Sequence, residues 1–297
     1  MFRNIRCYRI TSPWPKTEQA LSELLAENAF SPCSAFSERS AGWEAPVDYE
    51  NAPLCRRLSG ADLLQLRTQS RVLPVAVIKE AMEEKVTEFR LRMDQEPSRS
   101  ELRRLREETK DELLPKALLK SERSRACFIH SEAILSIDVG TDAKAEWFID
   151  QLRTCFGQFA CIPLAFNNPP GELLKRIFLG ETPLGFTLGR ECRMQDMSDA
   201  KSIATWREFE LTDQSIRRHV VDGMSLTHLG VGFDELLSCV ISQDGVISKF
   251  RFIEGDAVDT PDHEDPLERL DADFVLLSGT VQRLVVSLRK LLNGYAE

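Results

Sequence analysis

This chain of 297 residues is short of several things, and each shortage excludes a class of protein. It has no run of about 18 uninterrupted apolar residues, so no transmembrane helix and no membrane partner are expected. The opening MFRNIRCYRITSPWP scatters charge among its apolar residues and lacks an apolar core stretch. No secretory signal is therefore expected, and a reducing, bacterial-type cytoplasm is the expected compartment. No C-x-x-C occurs among the eight cysteines, which stand singly at 7, 33, 55, 127, 155, 161, 192 and 239 among apolar neighbours. They read as small buried hydrophobes, not as a disulfide framework. The four histidines, His130, His219, His228 and His263, are too dispersed for a zinc site.

The patterns that carry catalysis are missing as well. There is no G-x-x-x-x-G-K-[ST], no H-E-x-x-H and no G-x-S-x-G. Gly180, Gly185 and Gly189 do not make a dinucleotide fingerprint. The pairs Asp271/Asp273 and Asp256/Asp259 are the only candidates for a nuclease-type metal. Asp271 and Asp273 are two apart on a helix and do not share a face, and solvated surface acids are the default reading of both pairs. The expectation is no metal, no cofactor and no enzymatic turnover.

What the chain does have is ordinary globular composition, 42% hydrophobic and 29% charged, at a length that suggests about two domains. The net charge of −9 is unevenly placed. Residues 1–190 hold 27 basic and 27 acidic side chains, whereas residues 191–297 hold 11 and 20. A globally acidic chain is a poor first candidate for nucleic acid. Local basic linings can nevertheless bind phosphate on an acidic molecule.

Periodicity gives an α+β chain. Phe2 to Ile10 reads as a strand, and Lys16 to Asn28 as a helix with Ala20, Leu21, Leu24 and Leu25 on one face. Gly42-Trp43 to Pro46 reads as a loop, and Pro53 to Leu58 with Leu63 to Leu73 as a hairpin around Ser59-Gly60. A charged αα-hairpin follows from about Val75 to Leu119, broken at Glu96-Pro97 and restarted by the capping box Ser98/Glu101. Arg125 to Ile129 and Ala133 to Val139 make a second hairpin. Asp142 to Phe156 is an amphipathic helix, and Ala160 to Phe166 a strand. Pro169-Pro170 marks the best domain boundary. Beyond it, Leu184 to Leu188 and Trp206 to Leu211 read as strands, Thr212 caps a helix to Val221, and three strands run from Ser225 to Ile253. Gly255 to Asp265 reads as an acidic loop. Asp265-Pro266 then opens a long helix whose seam includes Leu277, Val281, Leu284 and Leu288. That seam serves either its own domain's core or a subunit interface. The expected domains are a central α+β domain (1–73 and 121–166), a helical tip inserted in it (74–120) and a base domain (167–297).

Several stretches resemble the RdgC family of recombination-associated, nucleoid-bound proteins. They are Phe2-Arg3-Asn4-Ile5 with Tyr8-Arg9-Ile10, Ala29-Phe30-Ser31-Pro32-Cys33 with Gly42-Trp43, and Leu73-Pro74 with Val77-Ile78-Lys79. Leu113-Leu114-Pro115-Lys116-Ala117 and Asp271-Ala272-Asp273-Phe274 with Gly279 complete the set. They occur in family order across nearly the whole chain. The resemblance implies a horseshoe-like subunit pairing into a ring-shaped homodimer. Such a ring encircles double-stranded DNA without sequence preference, in the cytoplasm and nucleoid, and limits the access of RecA.

Carried over by position, the resemblance implies phosphate contacts at Lys79, Lys116, Lys144 and Arg153. It places Leu118 where the family carries an aromatic residue that closes the tip interface, and Met224 where a lysine is expected. Arg207, Arg217 and Arg218 are the compensating cations. Leu118, Leu277, Val281, Leu284 and Leu288 are the candidate dimer contacts. The alternative function is an acidic protein-interaction module that regulates a recombination protein with weak or no DNA binding.

Overall fold

The computed structural model describes residues 2–47, 49–199, 201–253 and 265–296. Most of the acidic segment Gly255 to Asp265, with Asp256, Asp259 and His263, lies outside the described residues. The chain order is β1 (Ile5–Ile10), α1 (Glu18–Ala26), β2 (Arg39–Trp43), β3 (Cys55–Leu58), β4 (Ala61–Val72), α2 (Val75–Met93) and α3 (Arg99–Leu113). There follow β5 (Leu118–Ile129), β6 (Ile134–Asp138), α4 (Asp142–Phe156), β7 (Cys161–Pro163), α5 (Pro170–Leu179), β8 (Phe186–Gln195) and β9 (Ile203–Trp206). The last are α6 (Gln214–Val221), β10 (Ser225–Phe233), β11 (Leu237–Ser242), β12 (Ile247–Phe252) and α7 (Pro266–Leu291). The protein is thus a mixed α+β chain with a large antiparallel sheet. It divides into two compact units, Met1–Leu24, Ala45–Leu64 and Ser124–Glu297 forming the first, Leu25–Glu44 and Gln65–Arg123 the second.

In the first unit the strands run β5-β6-β1-β12-β11-β10-β8-β9, with β7 also on β1 and β3 on the start of β4. Alternation sorts their side chains onto two faces. One face, with Cys192, Met194, Leu229, Val231, Cys239 and Ile241, packs against α5, α6 and α7. The seam of α7 is spent here: Leu277, Val281, Leu284 and Leu288 are at most 4% exposed. The residues of that helix left to solvent are others, Val275 and Leu276 among them.

The opposite face carries α4 beside β1, where Arg6 and Asp142 pair and the Tyr8 hydroxyl donates to Glu146 at 3.4 Å. Trp14 stacks on Phe128 nearby, with ring centroids 4.0 Å apart. The Trp14 indole N–H donates to Asp62 at 2.7 Å, Arg57 holds both oxygens of that fully buried carboxylate, and His130 Nε2 lies 3.0 Å away.

Several expectations are corrected here. Pro169-Pro170, read as a loop, opens α5: Pro170 sits in the first turn, where a missing N–H costs nothing, and Leu173, Leu174, Ile177 and Phe178 bury one face. The cap of α6 is Asp213, which accepts from Ser215 N at 2.8 Å, and not Thr212. Strand β8 runs to Gln195, well past Leu188, and β9 stops at Trp206. Asp271 is no solvated acid. It takes a bidentate pair of hydrogen bonds from Arg56, at 3.0 and 2.5 Å, which ties β3 to α7.

In the second unit, Gly42-Trp43 belongs to β2 and not to a loop. A Cβ on Gly42 would sit 2.5 Å from Phe30 Cα, so only glycine allows the neighbouring segment so close. Phe30 N donates to Trp43 O and Trp43 N to Asn28 O, and Trp43 is 1% exposed. Beyond it Glu44 accepts from Arg67 at 2.8 Å and Arg123 at 2.6 Å. Burial pushes the Glu44 carboxyl up, but these arginines outweigh it and hold the group below its usual range. The expected αα-hairpin is present, with the Ser98/Glu101 capping box formed. It buries little: Ile78 and Phe89 of α2, Leu105 and Thr109 of α3.

Candidate nucleic-acid interface

The sheet face opposite the helical core of the first unit carries a group of exposed cations. Register places Thr205, Arg193, His228 and Ser242 in one row across β9, β8, β10 and β11. Gly232, Ser238 and Arg251 form a second row across β10, β11 and β12. Arg193 and Arg251 stand exposed between buried neighbours, Cys192 and Met194 for one and Phe250 and half-buried Phe252 for the other.

Lys249 joins them through an irregularity. It sits in the bulge between the Ser238–Arg251 and Val240–Ser248 pairs, with φ 53°. From there its Nζ reaches both oxygens of Glu191, at 2.6 and 2.5 Å, and Arg207 Nε lies 3.7 Å from the same carboxylate. The strands beneath cross closely: a Cβ on Gly189 would lie 2.6 Å from the Gly230 carbonyl carbon. The surface carries four cations, Arg193, Arg207, Lys249 and Arg251, of which Lys249 and Arg207 lie against Glu191, while the charge of Asp244 reaches His228 in the first row.

The row ends at an opening where β1 and β12 share a single pair, Ile5 and Ile247. A cavity of about 540 Å³ lies there, lined by Arg6, Tyr8, Asp142, His228, Ser242 and Ser248 among others. Arg6 Nε is buried without a partner in it. Burial, and then the nearby Arg193 charge, hold the His228 imidazole below its ordinary value. Among the described residues no cluster of three His, Cys, Asp or Glu could hold a metal ion.

The cations anticipated from the sequence are distributed. Lys79 and Lys116 belong to the second unit, and both are exposed. Lys144 and Arg153 lie on α4, nine positions apart, and so flank its buried stripe on opposite sides. Arg153 pairs with Asp150 at 2.7 Å. Arg217 and Arg218 lie on α6, in the helical layer across the sheet from Arg193. Arg218 pairs with Asp222 at 3.5 Å, and Arg217 Nε is buried without a partner. Of the three compensating cations only Arg207 joins the basic face. Met224 lines a separate pocket together with Lys175, so a lysine is present there from another element. Leu118 is 80% exposed. Arg193, Lys249 and Arg251 were not anticipated. The signal for two of them was the alternation Cys-Arg-Met and Phe-Arg-Phe, apolar residues flanking a cation on the other face.

Comparison with known proteins agrees with the resemblance. A family model described as "Putative exonuclease, RdgC" matches residues 1–295. The Recombination-associated protein RdgC of Tolumonas auensis is 29% identical over 99% of this chain and 98% of its own length. The proteins of that name from Shewanella sediminis and Aeromonas hydrophila are also 29% identical, over the same shares. With residues 1–295 matched in order, this chain belongs to the RdgC family.

Proposed function

We propose that this protein binds double-stranded DNA without sequence preference and acts in recombination by occupying the duplex, limiting the access of RecA. The observation that carries the reading is the sheet face that brings Arg193, Arg207, Lys249 and Arg251 to one side, with Glu191 beside Lys249 and Arg207. Guanidinium and ammonium groups spread over a flat polar surface suit phosphates, whose neutralisation releases counterions and is blind to sequence. Lys144 and Arg153 lie on the same side of the sheet and extend that surface along α4. Lys79 and Lys116 add phosphate contacts from the second unit. The relatives' shared name, recombination-associated, supports the process.

The same proposal includes assembly. Horseshoe-like subunits pair into a ring around the duplex, and the exposed Leu118 supplies an apolar contact at one closure. The protein works in the cytoplasm, on the nucleoid. It carries out no turnover of its own, whatever the exonuclease description of the family.

A mobility-shift titration with linear and circular duplexes, with and without magnesium, tests all of this. Retention without cleavage, equal across sequences, is the expected result. Magnesium-dependent shortening of the DNA, abolished by a point substitution in this chain, makes it a nuclease. Failure to retain any duplex at low salt, with capture of a defined recombination protein, makes it a protein-interaction module instead.

A further inference from the structure

The αα-hairpin of the second unit holds a groove of about 550 Å³ between α2 and α3. Its apolar floor includes Val75, Met82 and Leu102. Lys79, Arg103 and Arg106 stand along it, with Glu107 the one acid. Spacing explains the arrangement. Val75, Lys79 and Met82 are four and three apart on α2, and Leu102 and Arg106 are four apart on α3, so each set shares a helix face. The floor is not spent on the hairpin's own packing, since Val75 is 68% exposed and Met82 and Leu102 are half-buried.

The cations around the groove differ from most others on the hairpin. Lys85 pairs with Glu112, Arg90 with Glu96, Arg104 with Glu108 and Lys110 with Glu38. Among the described residues Lys79, Arg103 and Arg106 have no carboxylate within ion-pair distance; Arg92 and Arg99, towards the far end, share that condition. In a helix pair so rich in glutamate, three uncompensated cations converging on one apolar slot mark a surface whose acidic partner comes from elsewhere.

We infer that this groove docks an acidic amphipathic segment of another protein, its apolar side chains on Val75, Met82 and Leu102 and its carboxylates on Lys79, Arg103 and Arg106. A DNA backbone meets only half of that surface, because it brings charge but no apolar side chain to cover the floor. An apolar helix meets only the other half. A helix with glutamates flanking an apolar stripe meets both, in the helix-in-groove manner. The inference shares Lys79 with the duplex reading, which gives Arg103 and Arg106 no part.

The test uses the full-length protein and a fluorescein-labelled peptide of about 14 residues, four helical turns, with leucine at every third and fourth position and glutamate elsewhere. Fluorescence anisotropy should report binding that falls with salt. The double variant Arg103→Glu, Arg106→Glu should weaken it about tenfold, two attractive pairs having become repulsive. Both side chains are exposed, so the thermal melt should not move. A second peptide with serine in place of every leucine should also bind about tenfold more weakly, a comparison that needs no variant of the protein. The mass by light scattering should be the same for the double variant as for the parent, and duplex affinity, which shares only Lys79 with the groove, should fall far less than peptide affinity. No binding of the leucine peptide, equal binding of both peptides, or indifference to the double variant overturns the inference. Parallel loss of duplex binding assigns the groove to nucleic acid, and a fall in mass assigns it to a second copy; either overturns the inference too.

Discussion

Arg193 is the residue on which the duplex reading turns. It stands in register between Thr205 and His228, exposed, on the face opposite the core. Arg193→Ala should weaken binding to all duplexes about equally and reduce the slope of log affinity against log salt by about 1, measured by salt titration. Arg251→Ala should do the same. An unequal loss between sequences makes Arg193 a reader of bases instead. The residue-level site was only partly legible beforehand. Positions carried over from a family pattern name cations one at a time, whereas Arg193, Lys249 and Arg251 become a surface only when register brings four strands, β8, β10, β11 and β12, together. Lys249 in particular needs a bulge at φ 53° that no periodicity shows. The cysteines were more legible, because single thiols among apolar neighbours are core by default. Burial pushes the Cys239 thiol up to about 12 and, with Asp62 beyond it, Cys55 up to about 12, so neither holds thiolate near neutrality. A disulfide-exchange reagent at pH 7 should leave both intact in the folded protein and react with them only after denaturant is added.

Among the elements, α4 and the capping-box start of α3 were readable because local signals decide them: a polar cap followed by a run with helical spacing. Ser98→Ala should cost about 1 kcal/mol of hairpin stability, measured as lost amide protection in α3 by hydrogen exchange. Elements decided by their neighbours were not readable. Strand β2 exists because Arg39 to Trp43 pairs antiparallel with β4, with Gly42 leaving room for the backbone of Phe30, and α5 because four apolar side chains beyond a Pro-Pro pair find the sheet. The seam of α7 belongs to the same class, since a run of Leu and Val at helical spacing suits a core and a subunit interface equally. Its burial decides the matter for Leu284, which is fully covered within its own unit. Leu284→Ala should therefore lower stability by about 2–5 kcal/mol in denaturant unfolding. The mass of the assembly should be unchanged where the protein remains folded. A change in mass without a change in stability returns the seam to the interface.

For the whole molecule the decisive quantity is topology, not affinity. A net charge of −9 disfavours a second polyanion, and the basic face opposes that only at short range, within about 8 Å at physiological salt. The proposed encirclement would relieve the conflict, because a closed ring holds its duplex after salt has screened every phosphate contact. The proposed dimer should accordingly show the mass of two chains by light scattering at micromolar concentration. It should also stay on a circular duplex, and leave a linear one by its ends, at a salt concentration that abolishes simple electrostatic binding. Leu118 is the residue to separate closure from assembly, being 80% exposed at the start of β5 with Leu119 beside it at 46%. Leu118→Asp places a charge in an apolar contact while disturbing no buried neighbour, so the fold should persist. If Leu118 seals one of two contacts, the variant remains dimeric, keeps its low-salt affinity, and leaves circular and linear duplexes at the same rate in high salt. If the mass falls to that of one chain, Leu118 lies in the sole contact between subunits and no ring is formed. If the unsubstituted protein already treats circular and linear duplexes alike, occupation of DNA is by its basic face alone.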